Sequence, residues 1–231
     1  FAESVWAAEG HDEPLPAADN DLARLLDAPA TPLSLGLRRL TEALPEQLPT
    51  SGVGGLDVKH FWGDITGTSL NAPAVLELFR ERFADVMPVP VGVEPAAPRV
   101  RLDEGATLTL QLPGRGHVQV RVEAADDAHV VLSTLRGHPL AGVVRFRTAA
   151  ISAGVRFEVM TADKAATPID WLALTLGGAR VQDANWRSVV TRVAAAAGGS
   201  VSVVHARRRR ASEAEAEHLS TWVTRLTGER V

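Results

Sequence analysis

Polar and apolar residues alternate through the middle of the chain. Leu108 and Leu110 are separated by threonine, and Val118 and Val120 continue the alternation after a glycine-rich turn at residues 113–116. A period of two is typical of a strand with one buried face. Because the turns between such segments are short, the pattern predicts an antiparallel meander.

Apolar segments on both sides of this hairpin extend the predicted sheet. Residues 56–65 form an earlier strand, and residues 129–135, 143–148 and 155–161 form three later ones. Residues 88–98 contain four prolines, so we expect an irregular connection there. The residues expected on the buried face are Leu108, Leu110, Val118, Val120, Val144, Phe146, Val155 and Phe157.

Helical spacing of apolar residues predicts two helices that pack on the sheet. Asn71 is a favourable N-cap for the first. Pro168 opens a helix through Leu174, which Gly177 and Gly178 break or kink before a second helical stretch begins. The apolar stripes are Val75, Leu76, Phe79, Phe83 and Val86 in the first helix, and Trp186, Val189, Val190, Val193 and Ala197 in the second.

The two ends of the chain add segments outside this pattern. Residues 1–50 predict a helical arm, residues 51–199 the main domain, and residues 200–231 a short edge strand and a helix. The edge strand is expected at residues 201–204. Ser212 and Glu215 then have the spacing of a capping box, which predicts the start of the last helix.

These elements together predict an α+β fold, in which a curved antiparallel sheet wraps around a C-terminal helix at residues 183–197, with extra N-terminal and C-terminal helices. A sheet that curls around a helix leaves a cavity wherever side chains do not fill its centre. Apolar cavities bind apolar ligands. The expected partner is therefore a small apolar or amphipathic molecule.

Composition narrows the classes of partner. With 24 basic and 28 acidic residues, a net charge of −4 does not favour nucleic-acid binding. The four arginines at residues 207–210 are an exception that could grip phosphates, but glutamates follow at once, so a solvated linker is expected. The chain has no cysteine, and its histidines lack metal-ligand spacing, so we expect neither metal nor cofactor.

The location of the protein follows from what the chain lacks. No apolar stretch reaches the roughly 18 residues of a spanning helix, so no membrane span is expected. The first residues also lack the basic and apolar regions of a secretion signal. We therefore expect a soluble, cytoplasmic protein, and its richness in alanine, arginine, glycine and valine suggests a GC-rich bacterial genome.

One segment resembles a known family. The run Thr134-Leu135-Arg136-Gly137-His138-Pro139-Leu140-Ala141-Gly142 precedes the strand Val143–Phe146, and Val155–Val159 follows. A T-L-x-G-H-P-x-x-G turn between two late strands, with a terminal helix after them, resembles a bacterial and plant family filed as a domain of unknown function. The resemblance covers roughly residues 55–198. It implies the START-like (SRPBCC, helix-grip) superfamily of polyketide cyclases, lipid-transfer domains and pathogenesis-related allergens.

Three groups of polar residues are candidate sites. His138 is held on a tight turn between Gly137 and Pro139, where it could orient a ligand or donate a proton; alternatively, its ring bonds the backbone and locks the turn. His60, Trp62 and Asp64 share one strand face, either as a polar site inside the cavity or as an amphipathic strand with Trp62 in the core. Arg145 and Arg147 could bind an anionic ligand, although a solvated strand face is expected.

Three functions follow, in order of preference. The first is a binding module with the ligand between sheet and helix. The second is a cyclase or aromatase-type enzyme that uses the same pocket, with His138 or His60 as acid or base. The third is a scaffold with a filled core that docks a protein through its terminal helices. The predicted ligand-binding residues are His138, Phe146, Phe157, Trp62, Phe79, Trp186 and Val190.

Overall fold

The computed structural model describes residues 45–94, 100–112 and 115–228. The helices predicted before residue 44 lie outside these ranges, as do the side chains of residues 223–228 in the last helix. The roles predicted for the N-terminal arm and for the end of the last helix therefore stay predictions.

Nine strands form one antiparallel sheet. Their spatial order is β2-β3-β4-β5-β6-β7-β1-β8, and β9 also pairs with β1. The bounds are β1 Val53–Thr66, β2 Val91–Glu94, β3 Thr107–Leu112, β4 Gly116–Ala125, β5 His129–Thr134, β6 Leu140–Ile151, β7 Gly154–Ala165, β8 Ser200–Val201 and β9 His205–Arg210.

Five α-helices and a 3₁₀ turn at Pro49–Ser51 accompany the sheet in the described part of the chain. Asn71 caps α1 as predicted, because its side chain accepts a hydrogen bond from the Ala74 amide at 3.0 Å. A π-helical turn at Leu174–Gly178 joins α3 to α4 at the predicted glycine pair. The bounds are α1 Ala72–Glu81, α2 Phe83–Val86, α3 Pro168–Ala173, α4 Ala179–Ala196 and α5 Glu213–Gly228.

The main core lies between the concave face of the sheet and helices α1, α2 and α4. All the side chains predicted to face inward from the meander belong to this core. The apolar residues of α4, such as Val190 and Val193, are fully buried against it. The predicted fold class is confirmed: an α+β fold whose antiparallel sheet wraps around a C-terminal helix.

A second, smaller core covers part of the convex face. Helix α5 packs there through Ala216 and Leu219, which contact Val58 and Met160 of the sheet. Its predicted capping box is confirmed, because Glu215 accepts from the Ser212 amide at 2.7 Å and the Glu215 amide donates to Ser212 Oγ at 3.2 Å.

Two connections contain strands that the sequence pattern did not predict. The proline-rich segment holds β2, which pairs with the edge of β3. The predicted edge strand at residues 201–204 shortens to β8, and the arginine run forms β9 instead of a solvated linker. Residues Arg207–Arg210 pair with β1 over Asp57–His60, and carboxylates on both faces offset their charge.

Candidate functional site

Five of the predicted ligand-binding residues meet at the centre of the fold. Phe79 lies 4.6 Å from Phe146 and 5.2 Å from Phe157, measured between ring centroids. Trp186 approaches Phe146 edge-on at 5.8 Å, and Val190 is buried in the same cluster. The rings contact one another, so this cluster packs the helix against the sheet.

Trp62 lies on the opposite face of the sheet. Its neighbour Phe61 points into the main core, and strand alternation therefore turns Trp62 to the convex side. There its ring stacks on His205 at 5.2 Å and contacts His60 at 4.7 Å. The hypothesis that His60, Trp62 and Asp64 form a polar site inside the concave cavity is wrong.

The convex face instead carries a network of paired charges. His60 Nε2 and Arg147 Nη2 contact the two oxygens of Glu158 at 3.0 and 3.2 Å. Burial acts to raise the pKa of Glu158, but the hydrogen bond with His60 and the charge of Arg147 outweigh it and lower that pKa. Arg156 holds Asp64 in the same way, with two hydrogen bonds of 2.7 and 3.0 Å. Arg147 is thus paired within the protein.

His138 fixes the turn between β5 and β6. Its side chain is buried, and its Nδ1 accepts a hydrogen bond from the Leu140 amide at 3.0 Å. Burial lowers the pKa of His138 to about 4, so the ring is neutral at pH 7. These contacts match the interpretation in which the ring bonds the backbone and locks the turn.

The other residues of the T-L-x-G-H-P-x-x-G run also serve this turn. Gly137 has a φ of +96°, in the left-handed region that favours glycine. A Cβ on Gly142 would lie 2.1 Å from the Ala162 carbonyl oxygen, so the neighbouring strand leaves no room for a side chain. The Thr134 hydroxyl bonds both backbone polar groups of Gly142, at 3.0 and 3.2 Å. The motif therefore has a structural explanation that involves no ligand.

An open groove lies at one end of the concave face. It has a volume of about 260 Å³ and runs between strands β1, β7 and β9 and the α3–α4 segment. None of the predicted ligand-binding residues lines it. Its walls are formed by Val53, Gly55, Asp57, Lys59, Asp163, Lys164, Ala165, Trp171, Leu174, Thr175, Ala179, Arg208 and Arg210.

Buried polar groups line the inner wall of the groove. Lys59 is only 2% exposed, and its Nζ donates a hydrogen bond to Gln182 Oε1 of α4. Gln182 Nε2 in turn donates to Asp163 Oδ2 at 3.4 Å, while Asp183 lies 4.0 Å from Lys59 Nζ. Burial raises the pKa of Asp163, because an ionised carboxylate is poorly solvated there.

The outer wall carries arginines and a partly exposed indole. Arg208 Nη2 donates to Asp57 Oδ2, and Arg210 Nε lies 3.8 Å from the other oxygen of the same carboxylate. Trp171 is 47% exposed. The groove thus offers an apolar surface beside charged groups, which is the arrangement that binds amphipathic molecules.

Strand alternation could have indicated part of this site. Asp57 and Lys59 lie four and two positions before the buried Phe61, so a strand there places their charges on the same inward face. Both residues lie within the strand predicted at residues 56–65, so alternation along it is the signal that indicates them.

The described residues contain no group of three or more His, Asp or Glu side chains that could hold a metal ion. Within the same ranges, no helix is both long and apolar enough to cross a membrane.

No family model and no curated protein match this chain. The specific family inferred from the G-H-P turn therefore stays a prediction.

Among solved structures, the chain is similar to the Zhui aromatase/cyclase from Streptomyces sp. R1128, with 16% identity and a TM-score of 0.45 over 61% of this chain and 94% of that one. It is similar to norcoclaurine synthase from Thalictrum flavum, with 8% identity and a TM-score of 0.44 over 64% and 88% of the two chains. The di-domain ARO/CYC StfQ of the steffimycin biosynthetic pathway gives 13% identity and a TM-score of 0.44, over 62% of this chain. The chain spans about half of that protein, 51% of its length.

Proposed function

We propose that the chain is a START-like binding protein that holds a small amphipathic molecule in the groove between the sheet and the α3–α4 segment. The observation that carries the proposal is the open space of about 260 Å³ that joins the exposed face of Trp171 to the buried polar wall at Lys59. This volume lies just below the range of roughly 300–1,000 Å³ typical of small-molecule pockets. The ligand is therefore small, with one or two rings.

The apolar part of the ligand would contact Trp171 and Leu174. Burying apolar surface contributes about 25 cal/mol per Å². The 47% exposure of Trp171 leaves much of an indole available for that contact. Polar groups of the ligand would then meet Lys59 or Asp163, which fix its orientation.

A blocking variant tests the proposal. Thr175 lines the groove, and its hydroxyl donates to the Trp171 carbonyl at 2.8 Å. Thr191 is a matched control, because it is also exposed and also donates to the carbonyl four residues earlier. Native mass spectrometry after organic extraction should find a small molecule in the wild type and in Thr191→Trp but not in Thr175→Trp. Equal loading of both variants would contradict the proposal.

A specific observation also favours an enzyme as the alternative. Asp163 is buried, with a raised pKa, and lines the groove beside Lys59. A raised pKa favours the protonated carboxylic acid, which is the form that acts as a general acid. For the cyclase-type alternative we therefore propose Asp163 as the acid, rather than His138 or His60. Incubating the extracted ligand with the wild type and with Asp163→Asn distinguishes the two functions: turnover that this substitution abolishes favours an enzyme.

A further inference from the structure

Basic groups outnumber carboxylates among the residues that line the groove. Lys59, Arg208 and Arg210 face it from β1 and β9, against the carboxylates of Asp57 and Asp163. Burial raises the pKa of Asp163, which favours its neutral form. Lys164 also borders the groove, but its ammonium bonds Glu213 on the convex side at 3.1 Å and does not add to this charge.

Among the residues that the structure describes, Asp57 is the one carboxylate that both arginines approach. Arg208 donates to it, whereas Arg210 stays 3.8 Å away and is 68% exposed. A single carboxylate therefore offsets two guanidinium groups. Because Arg210 keeps most of its donors open to solvent, it can bind a second anionic group without losing a close internal partner.

Two neighbouring glycines of β1 lie against Arg210 and Trp171, which line the same groove. A Cβ on Gly55 would lie 2.7 Å from Arg210 Nε, and a Cβ on Gly54 would lie 2.9 Å from Cδ1 of Trp171. The guanidinium and the indole therefore lie against consecutive residues of β1 that have no side chain. An apolar ring contacting Trp171 would bring a substituent within reach of Arg210.

From this geometry we propose that the groove selects a flat, apolar organic anion, whose carboxylate is held by Arg210 and Arg208 while its ring contacts Trp171. This inference rests on the proposed function and specifies the ligand class. A planar carboxylate suits the bidentate fork of an arginine, and charge-assisted hydrogen bonds of this kind are about twice as strong as neutral ones.

A matched pair of probes separates charge from shape. 2-Naphthoate and 2-naphthamide have the same rings, and only the first carries a negative charge at pH 7. Titration calorimetry with the full chain should give roughly tenfold tighter binding of 2-naphthoate. Binding of 2-naphthoate should weaken as salt is added, since part of Arg210 is exposed to screening.

Variants on one strand test the role of the arginines. Arg210→Gln should weaken 2-naphthoate binding roughly threefold to tenfold and leave the affinity for 2-naphthamide unchanged. The lower value of this range corresponds to strong solvent screening of the exposed Arg210 side chain. Arg207→Gln is the matched control, because Arg207 lies on the same strand but on the convex face, opposite His60. Asp57→Asn should act in the other direction and tighten 2-naphthoate binding, because it frees both guanidinium groups.

The outcomes distinguish a failure of the anion selectivity from a failure of the proposed binding function. Equal affinity for the two probes, or an equal loss in Arg207→Gln and Arg210→Gln, overturns the anion selectivity and leaves the binding function standing. If neither probe binds and no small molecule is extracted from the wild type, the proposed function fails, and the inference fails with it.

Discussion

Lys59 on β1 donates a hydrogen bond to Gln182 on α4, so the sheet and its central helix meet through a polar contact at one end of the core. One turn further along α4, they meet through the edge-on packing of Trp186 against Phe146. The two halves of this interface differ in function: the aromatic half stabilises the fold, and the polar half borders an open groove.

Replacing Lys59 tests how much this contact stabilises the fold. Lys59→Met leaves the buried carboxyl of Asp163 without its neighbouring cation and Gln182 without its donor, and such a loss costs about 3 kcal/mol. The free energy of unfolding in urea should fall by about that amount. Adding Asp163→Asn should recover part of it, since one orphaned acid is removed. If Lys59→Met were as stable as the wild type, Lys59 would not stabilise the polar groups around it.

The buried ring of His138 makes stability depend on pH. Its pKa in the folded protein is about 4, against 6.5 for an ordinary histidine. Between these two pH values the unfolded chain binds a proton on this residue and the folded protein does not. Protein stability should therefore fall as the pH drops from 6.5 to 4, by up to about 3 kcal/mol from this residue.

His138→Asn isolates that contribution, because asparagine can still accept the Leu140 amide but does not titrate. Unfolding at pH 7 and pH 4.5 should show a smaller loss for the variant than for the wild type. Parallel losses in the two proteins would contradict the burial of a neutral ring.

Two glycine substitutions should differ in how much they destabilise the fold. Gly142→Ala forces a Cβ against the backbone of β7, and overpacking of this kind costs about 3 kcal/mol. Gly55→Ala meets the flexible end of Arg210, which can move into solvent, so its effect on stability should stay within about 1 kcal/mol. Thermal unfolding of both variants checks this order, and a larger loss in Gly55→Ala would contradict it.

Gly55→Ala should nevertheless change binding. Moving Arg210 away from β1 removes the group that we expect to hold the ligand's carboxylate. Its affinity for 2-naphthoate should fall towards that of Arg210→Gln, while Gly92→Ala, on the distant edge strand β2 with open space around its Cβ, should bind normally.

The sequence predicted the sheet and the helices because burial of apolar surface sets their periods. Alternation placed Leu108 through Phe157 on the inward face, and the structure confirms that face. Strand β2 was missed because the prolines at residues 88, 90, 95 and 98 mark the whole connection as irregular, although Val91–Glu94 itself contains none. Strand β9 was missed because four consecutive arginines form a strand only when carboxylates far away in the sequence offset them, such as Asp57, which lies 151 residues from Arg208.

The groove could not be predicted from local patterns for the same reason. Its walls come from β1, β7, β9 and the α3–α4 segment, and only the folded sheet brings them together. His138 attracted attention as a site because a glycine and a proline flank it, yet those same neighbours shape the turn that the ring locks. A tight turn and a ligand site share these residue types, so the sequence alone does not separate them.

The most direct test of the account asks where a small ligand binds. The side-chain N–H signals of the tryptophans report this in a ¹⁵N-labelled sample, because Trp171 lines the groove, Trp186 lies in the packed core and Trp62 lies on the convex face. Titration with 2-naphthoate should shift the signal that Trp171→Phe removes and leave those of Trp62 and Trp186 in place. Shifts at Trp186 or Trp62 with none at Trp171 would show that the ligand binds elsewhere and would contradict the central claim.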